Sequence, residues 1–236
     1  MSMKIFIPKD STALSLGADE VAEAIVKEAQ ARKLDIQILR NSSRGLFWLE
    51  TLVEVETVSG RIGFGPINPN DVKSLFDADF IKGGKHPLAL GLVSEIDWLK
   101  KQERLTFVRM GITEPANIDQ YIEHEGFQGL KNALKLNPQA IVQTVTDSGL
   151  RGRGGAAFPT GIKWKAVLDT KATQKYIVCN ADEGDSGTYS DRMIMEGDPF
   201  VLIEGMIIAG IAVGASQGYI YLRSCLLYTS PSPRDS

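Results

Sequence analysis

Cysteine is scarce: the 236-residue chain carries two, Cys179 and Cys225. That is too few for a disulfide framework or a four-thiolate metal site. Histidine is equally rare. His86 precedes a proline and His124 sits in an acidic, helical-looking stretch; neither has a ligand or nucleophile beside it, so both read as structural or surface residues. Positive charge is not in excess, since 26 Lys and Arg against 29 Asp and Glu leave a formal charge of −3 and a pI near 5.5. A nucleic-acid binder needs a basic face for phosphates, so that class is set aside. Long hydrophobic runs are missing too. The stretch 199–214 is apolar and contains Gly210-x-x-x-Gly214, but Glu204 interrupts it and it is shorter than the roughly 20 residues of a membrane span. It reads as a helix buried under a sheet. The N-terminus offers no signal peptide, because Ile5-Phe6-Ile7 stops at Pro8, and a cytoplasmic location is expected. With 43% hydrophobic and 23% charged residues, the composition is that of an ordinary globular protein of one large or two ordinary domains.

What the chain does have is concentrated in 149–192. The loop Gly152-Arg153-Gly154-Gly155-Ala156 is followed by Phe158-Pro159-Thr160-Gly161-Ile162-Lys163. Bare backbone amides can approach an anion there, with a lysine close behind, which is phosphate-binding chemistry. Farther on, strand-like Tyr176-Ile177-Val178-Cys179 runs into Asn180-Ala181-Asp182-Glu183-Gly184-Asp185, an amide and three carboxylates at a strand end, where ligands gather in α/β proteins. Four alternatives fit less well. Gly152-x-Gly154-x-x-Ala157 matches the Rossmann fingerprint formally, but Phe158-Pro159-Thr160-Gly161 would interrupt the helix that motif requires. A P-loop needs four residues between its glycines and lysine directly after the second; here five separate Gly155 from Gly161, and Ile162 intervenes. The single Arg151-Gly152-Arg153-Gly154-Gly155 is not a repeated RGG tract. A calcium loop wants a ligand where Gly184 stands and glycine where Asp185 stands.

These residues closely resemble the flavin- and NADH-binding subunit shared by respiratory complex I (its 51 kDa type), NAD-linked hydrogenases and NAD-dependent formate dehydrogenases. The resemblance implies an α/β (α+β) fold whose loop from Gly152 to Ala156, with Arg153 and Lys163, holds FMN. It also implies that Asn180, Asp182 and Glu183 meet the ribityl chain and isoalloxazine edge, that Phe158 stacks on the dinucleotide, and that Asp185 lies near the nicotinamide. Glu183 and Asp185 are thereby the expected catalytic residues, with FMN and NAD as cofactors. Two departures stand out: Ala157 replaces a glycine of the complex I version, and Asp185-Ser186-Gly187 replaces its Glu-Pro pattern.

Earlier in the chain, a strand at 3–8, a helix at 18–33 with Val21, Ala22, Ile25, Val26 and Ala29 on one face, and a strand at 35–40 are expected. A hairpin at 53–64 and a helix at 70–76 capped by Asn70 follow. That order is thioredoxin-like. In the resembled family such a domain usually carries a 2Fe-2S cluster on four cysteines, whereas the corresponding loops, 9–16 and 41–52, contain none. A cysteine-free copy resembles the β subunit of molybdenum- or tungsten-containing formate dehydrogenases, as do the stretches 41–50 and 100–107. That likeness implies a molybdenum or tungsten catalytic subunit and a small 2Fe-2S subunit as partners. Phe47 and Trp48 read as core residues. A helix pair is expected at 118–136, around Gly126 and Gly129, and a further single helix at 138–148, with a strand at 218–222. The expected division is 1–85 thioredoxin-like, 86–115 linker, 116–224 the start of the FMN-binding domain, and 225–236 a non-native tail. The tail back-translates, with permitted codons, to a transposase-type sequencing adapter. A 4Fe-4S site is expected beyond it in the natural protein.

Overall fold

The computed structural model describes residues 2–185 and 187–224; the expectations for Cys225 and the rest of the tail fall outside them. The described residues form two compact units, 2–120 with Met193–Asp198, and Tyr121–Arg192 with 199–224.

In the first unit, β1 (Met3–Phe6), α1 (Ser11–Ser15), α2 (Ala18–Ala31), β2 (Ile36–Leu39), β3 (Val53–Thr57), β4 (Gly60–Phe64), α3 (Val72–Asp77), β5 (Ala89–Leu92) and α4 (Asp97–Lys100) follow in order. The sheet order is β2-β1-β3-β4-β5, with β1 parallel to β2 and the other pairings antiparallel. Helix α2 buries Val21, Ala22, Ile25 and Ala29, the i, i+4 and i+8 stripe that the sequence shows. These side chains pack with Ile5, Val53, Val55 and Phe64 of the sheet. The tight β3–β4 turn works because Gly60 takes φ +119°, open to glycine alone without strain.

Three sequence expectations change here. The helix near residue 70 is capped by Asn68, not Asn70: Asn68 and Asp71 form a reciprocal capping box around Pro69. Trp48 is 59% exposed and meets the equally exposed Trp98 edge-on, so aromatic size alone did not place it in the core. Strand β5 pairs with β4, and Met110 is buried, so the stretch expected as a linker contributes to this unit. His86 is structural: its Nδ1 accepts from the Leu88 amide and its Nε2 lies 3.2 Å from the Ser74 hydroxyl.

The cysteine-free loops are closed by carboxylates. Asp10 accepts from the Thr12 and Ala13 amides, capping α1, and from the Ser43 amide. Ser43 donates its hydroxyl to Glu50 at 2.6 Å, and Glu50 also accepts from the Leu52 amide. Glu54, 2% exposed, is bound by Arg44 and Arg61. Residues 193–198 join the same unit through Asp198, 2.6 Å from Arg109, and Glu196, which accepts from Ser11.

The second unit contains α6 (Gln128–Ala133), α7 (Pro138–Asp147), α8 (Thr160–Asp169), β6 (Tyr176–Ala181), α10 (Pro199–Val213) and β7 (Gln217–Leu222). Helices α5 (Ile118–Glu123) and α9 (Ser190–Gly197) run across the bounds given above. Strands β6 and β7 are parallel and in register from Tyr176↔Gln217 to Ala181↔Leu222. Ala133, Ile141, Val142, Ala212 and Val213 form the core, flanked by Trp164 and Ile177. The carboxylate that interrupts the apolar run explains itself: Glu204 is buried and accepts from the Phe127 and Leu130 amides and the Tyr121 hydroxyl. It supplies acceptors for the orphan amides at the start of α6. Among the described residues, no helix is long and apolar enough to cross a membrane.

Burial pushes the Glu50 carboxyl up to about 7 from 4.5; the nearby charges of Asp10 and Glu54 add to the rise, and the Leu52 amide and Ser43 hydroxyl oppose it. Across that window the folded state holds a proton that the unfolded chain has released. The stabilisation is therefore complete below about pH 4.5 and is lost as pH rises through about 7, a change of about 3 kcal/mol. Urea midpoints read from Trp48 and Trp98 fluorescence, in a Trp164→Phe background, should fall over this range, and Glu50→Gln should flatten the slope. An unchanged slope in the variant would assign it to other groups.

Candidate functional site

The glycine loop is a closed turn held at its base. Gly152 donates to the Phe158 carbonyl at 2.9 Å, Thr160 to Leu150 at 2.9 Å, and Ala157 to Gly154 at 3.1 Å. Arg151 reaches back to the Ala157 carbonyl. Between these anchors, and among the described residues, the amides of Arg153, Gly154, Gly155 and Ala156 have no acceptor in the chain. A Cβ built on Gly154 or Gly155 meets nothing within 4 Å. The loop thus presents unsatisfied donors over open space, the arrangement that receives an anion.

Helix α8 follows at once. It starts behind Pro159 with no side-chain cap, which leaves first-turn amides and the positive end of its dipole available. Lys163 is exposed in that first turn. Gly161 has a different purpose: its Cβ would lie 2.2 Å from the Thr146 hydroxyl and 2.6 Å from the Thr146 Cα, so glycine is what lets α8 lie against α7.

The acidic turn leaves the end of β6. Asn180 Oδ1 accepts from the Asp182 amide at 3.2 Å, and Glu183 takes a left-handed φ of +42°. Its carboxylate accepts from the Asp191 amide at 2.9 Å, the Arg192 amide at 3.1 Å and the Ser190 hydroxyl at 3.3 Å. Those are the first residues of α9. Beside it, burial and the Glu183 charge raise the Asp191 carboxyl, and burial and the Asp191 charge raise the Cys179 thiol. Cys179 is thereby disfavoured as a thiolate nucleophile.

Every site residue expected from the sequence borders one cavity of about 600 Å³: Gly152, Arg153, Gly154, Gly155, Ala156, Phe158, Lys163, Asn180, Asp182, Glu183 and Asp185. Its size suits a small-molecule ligand, for which about 300–1,000 Å³ is typical. Phe158 is 50% exposed and offers an aromatic face. The sequence reading missed Thr188, Ser190 and Asp191, which also border it. Ser190 and Asp191 open a helix after an acidic turn, a start signal that could have placed them. Glu183 borders the cavity while both its oxygens accept hydrogen bonds from the first residues of α9. Among the described residues, no group of three or more His, Cys, Asp or Glu is placed to hold a metal ion.

Residues 145–226 match the family model described as the Nuo51 FMN-binding domain. The chain is 50% identical over 125 residues to the NADP-reducing hydrogenase subunit HndC of Solidesulfovibrio fructosivorans, covering 53% of this chain and 25% of the relative. It is 50% identical over 107 residues to an NADH-quinone oxidoreductase subunit of Aquifex aeolicus, covering 45% and 25%. A crystal structure of an NAD+-reducing [NiFe]-hydrogenase in the air-oxidized state aligns with a TM-score of 0.44 at 22% identity, covering 96% of this chain and 38% of that one. The matched part thus spans about a quarter of the length of these curated relatives.

The two kinds of glycine predict opposite outcomes. Gly161→Val should lower the unfolding free energy by about 1–3 kcal/mol through overpacking against α7. Gly155→Val should leave the ligand-free midpoint nearly unchanged, because its Cβ meets open space. Urea denaturation of both variants beside the parent checks this; equal losses would mean that the loop is packed in a way the open space does not suggest.

Proposed function

We propose that this chain is the flavin-binding part of a flavoprotein subunit that passes electrons between NAD(H) and iron–sulfur clusters, with FMN in the cavity of the second unit. The observation that carries the reading is a set of acceptorless amides from Arg153 to Ala156 over open Cβ positions, in the same cavity as Lys163, Asn180 and Asp182. A phosphorylated flavin fits these donors. The loop amides and Lys163 would hold the phosphate by charge-assisted hydrogen bonds, and Asn180 and Asp182 would receive ribityl and ring-edge hydrogen bonds. Phe158 offers a stacking face, and Asp185 would stand on the nicotinamide side. When bound, FMN supplies the exchange between hydride and single electrons. The chain's own work is to bind, orient and shield.

The finer reading is the β subunit of an NAD-dependent formate dehydrogenase, working beside a molybdenum or tungsten subunit and a small 2Fe-2S subunit in the cytoplasm. It is supported by the cysteine-free loops 9–16 and 41–52. A second reading, the equivalent subunit of an NAD(P)-linked hydrogenase or of complex I, is supported by the names of the relatives. The alternative of another class, an assembly module without redox chemistry, predicts no flavin at all.

FMN titration followed by flavin fluorescence tests the reading. Binding should be measurable but weak, because Gly152, Gly154, Gly155 and Phe158 are exposed and leave one side of the cavity to water. Lys163→Met should weaken it by about 10- to 100-fold, the loss of one charge-assisted hydrogen bond. Gly155→Val should abolish it. Bound flavin should bleach with NADH only slowly in this chain, and faster in a longer subunit that completes the pocket. Parent-like FMN affinity in Gly155→Val would remove the loop from the site.

A further inference from the structure

We infer that Glu183 is a positioning residue, a latch that holds the acidic turn in its ligand-facing shape without touching the ligand. The inference rests on the flavin reading for the identity of that ligand. A non-glycine residue at φ +42° occupies a sparsely populated backbone region, although Gly184 stands next to it. Something must hold it there, and two sets of contacts do. Its carboxylate takes the Asp191 and Arg192 amides and the Ser190 hydroxyl, first-turn donors for which a helix has no intrahelical acceptor. Its carbonyl takes the Arg223 guanidinium at 2.9 Å, while the Arg223 amide bonds the Ala181 carbonyl. The turn is therefore tied to α9 on one side and to the end of β7 on the other. Both carboxylate oxygens accept from the chain's own donors, Oε1 from Ser190 and Asp191 and Oε2 from Arg192. Glu183 borders the cavity together with Asn180, Asp182 and Asp185, but its carboxylate is the one that accepts three hydrogen bonds from the start of α9.

The test uses the whole chain with Glu183→Ala and Glu183→Gln. Without flavin, native-state hydrogen exchange at the Asp191 and Arg192 amides should speed up at least tenfold in Glu183→Ala, with the global urea midpoint little changed. FMN affinity should fall about tenfold or more. Glu183→Gln keeps one acceptor oxygen and should recover part of both effects. The midpoint potential and absorption spectrum of the flavin that does bind should match the parent, as for a residue that acts through the turn and not on the ring. Reduced affinity with unchanged amide exchange, or a shifted potential, would make Glu183 a direct contact and overturn the latch. Faster exchange with unchanged affinity would equally overturn its role in positioning. If Glu183→Ala does not fold, Glu183→Gln carries the comparison. Failure of the parent to bind FMN would count against the flavin reading alone, and the exchange measurement would still decide whether the latch exists.

Discussion

The parallel pairing of β6 with β7 is the constraint on which the second unit's site depends. Its register sets Ala181 opposite Leu222, so the chain after β6 and the chain after β7 emerge side by side. Only then can Arg223 reach the Glu183 carbonyl. A parallel pair needs a long crossover, here α9 and α10, and α10 can pack beneath the strands because its one carboxylate is satisfied. Glu204 accepts from the Phe127 and Leu130 amides, fixing α6 against α10. A cavity wall made of turns thus inherits its shape from hydrogen bonds made well away from it.

Buried and half-buried carboxylates organise both units, and their partners decide their character. Glu54 faces two guanidiniums, so its buried charge is paired. Glu50, a few residues earlier, has only a hydroxyl and an amide, and its carboxyl is pushed up to about 7. Glu204 and Glu183 take the third course, with helix amides as their partners. The same residue type therefore serves as ion-pair centre, proton holder and helix cap. Its sequence neighbours do not say which.

That is where the sequence stops being legible. The amphipathic stripe of α2, the β3–β4 hairpin and the apolar helix α10 were readable because their periodicity is local. The cavity-lining set was readable because glycine-rich turns and clustered carboxylates are rare outside binding sites. Glu183 was readable as important but not for what it does, since the partners of its carboxylate lie up to nine residues ahead and meet it only once α9 forms, and the partner of its carbonyl, Arg223, lies at the end of β7. Trp48 and strand β5 were misjudged because burial and sheet edges are tertiary facts. The glycines of 152–161 looked like one motif, yet Gly161 is required by Thr146 of α7 whereas Gly154 and Gly155 meet no protein atom.

The polarity of the cavity narrows what it can hold. At the loop end stand unsatisfied amides with Arg153 and Lys163; at the β6 end stand Asp182, Asp185 and Asp191. A simple anion would be drawn to the first group and repelled by the second, and a simple cation the reverse. A polyanion such as a nucleic acid strand would meet the carboxylates along its length, with only Arg153 and Lys163 as basic side chains in the cavity lining to offset them. A ligand that is anionic at one end and rich in hydroxyl and N–H donors at the other satisfies both ends at once. With Phe158 also lining the cavity, a phosphorylated flavin or a dinucleotide has that distribution of charge, donors and flat apolar surface. The carboxylates, which count against phosphate binding when taken alone, are then the features that separate a nucleotide-like cofactor from bare phosphate.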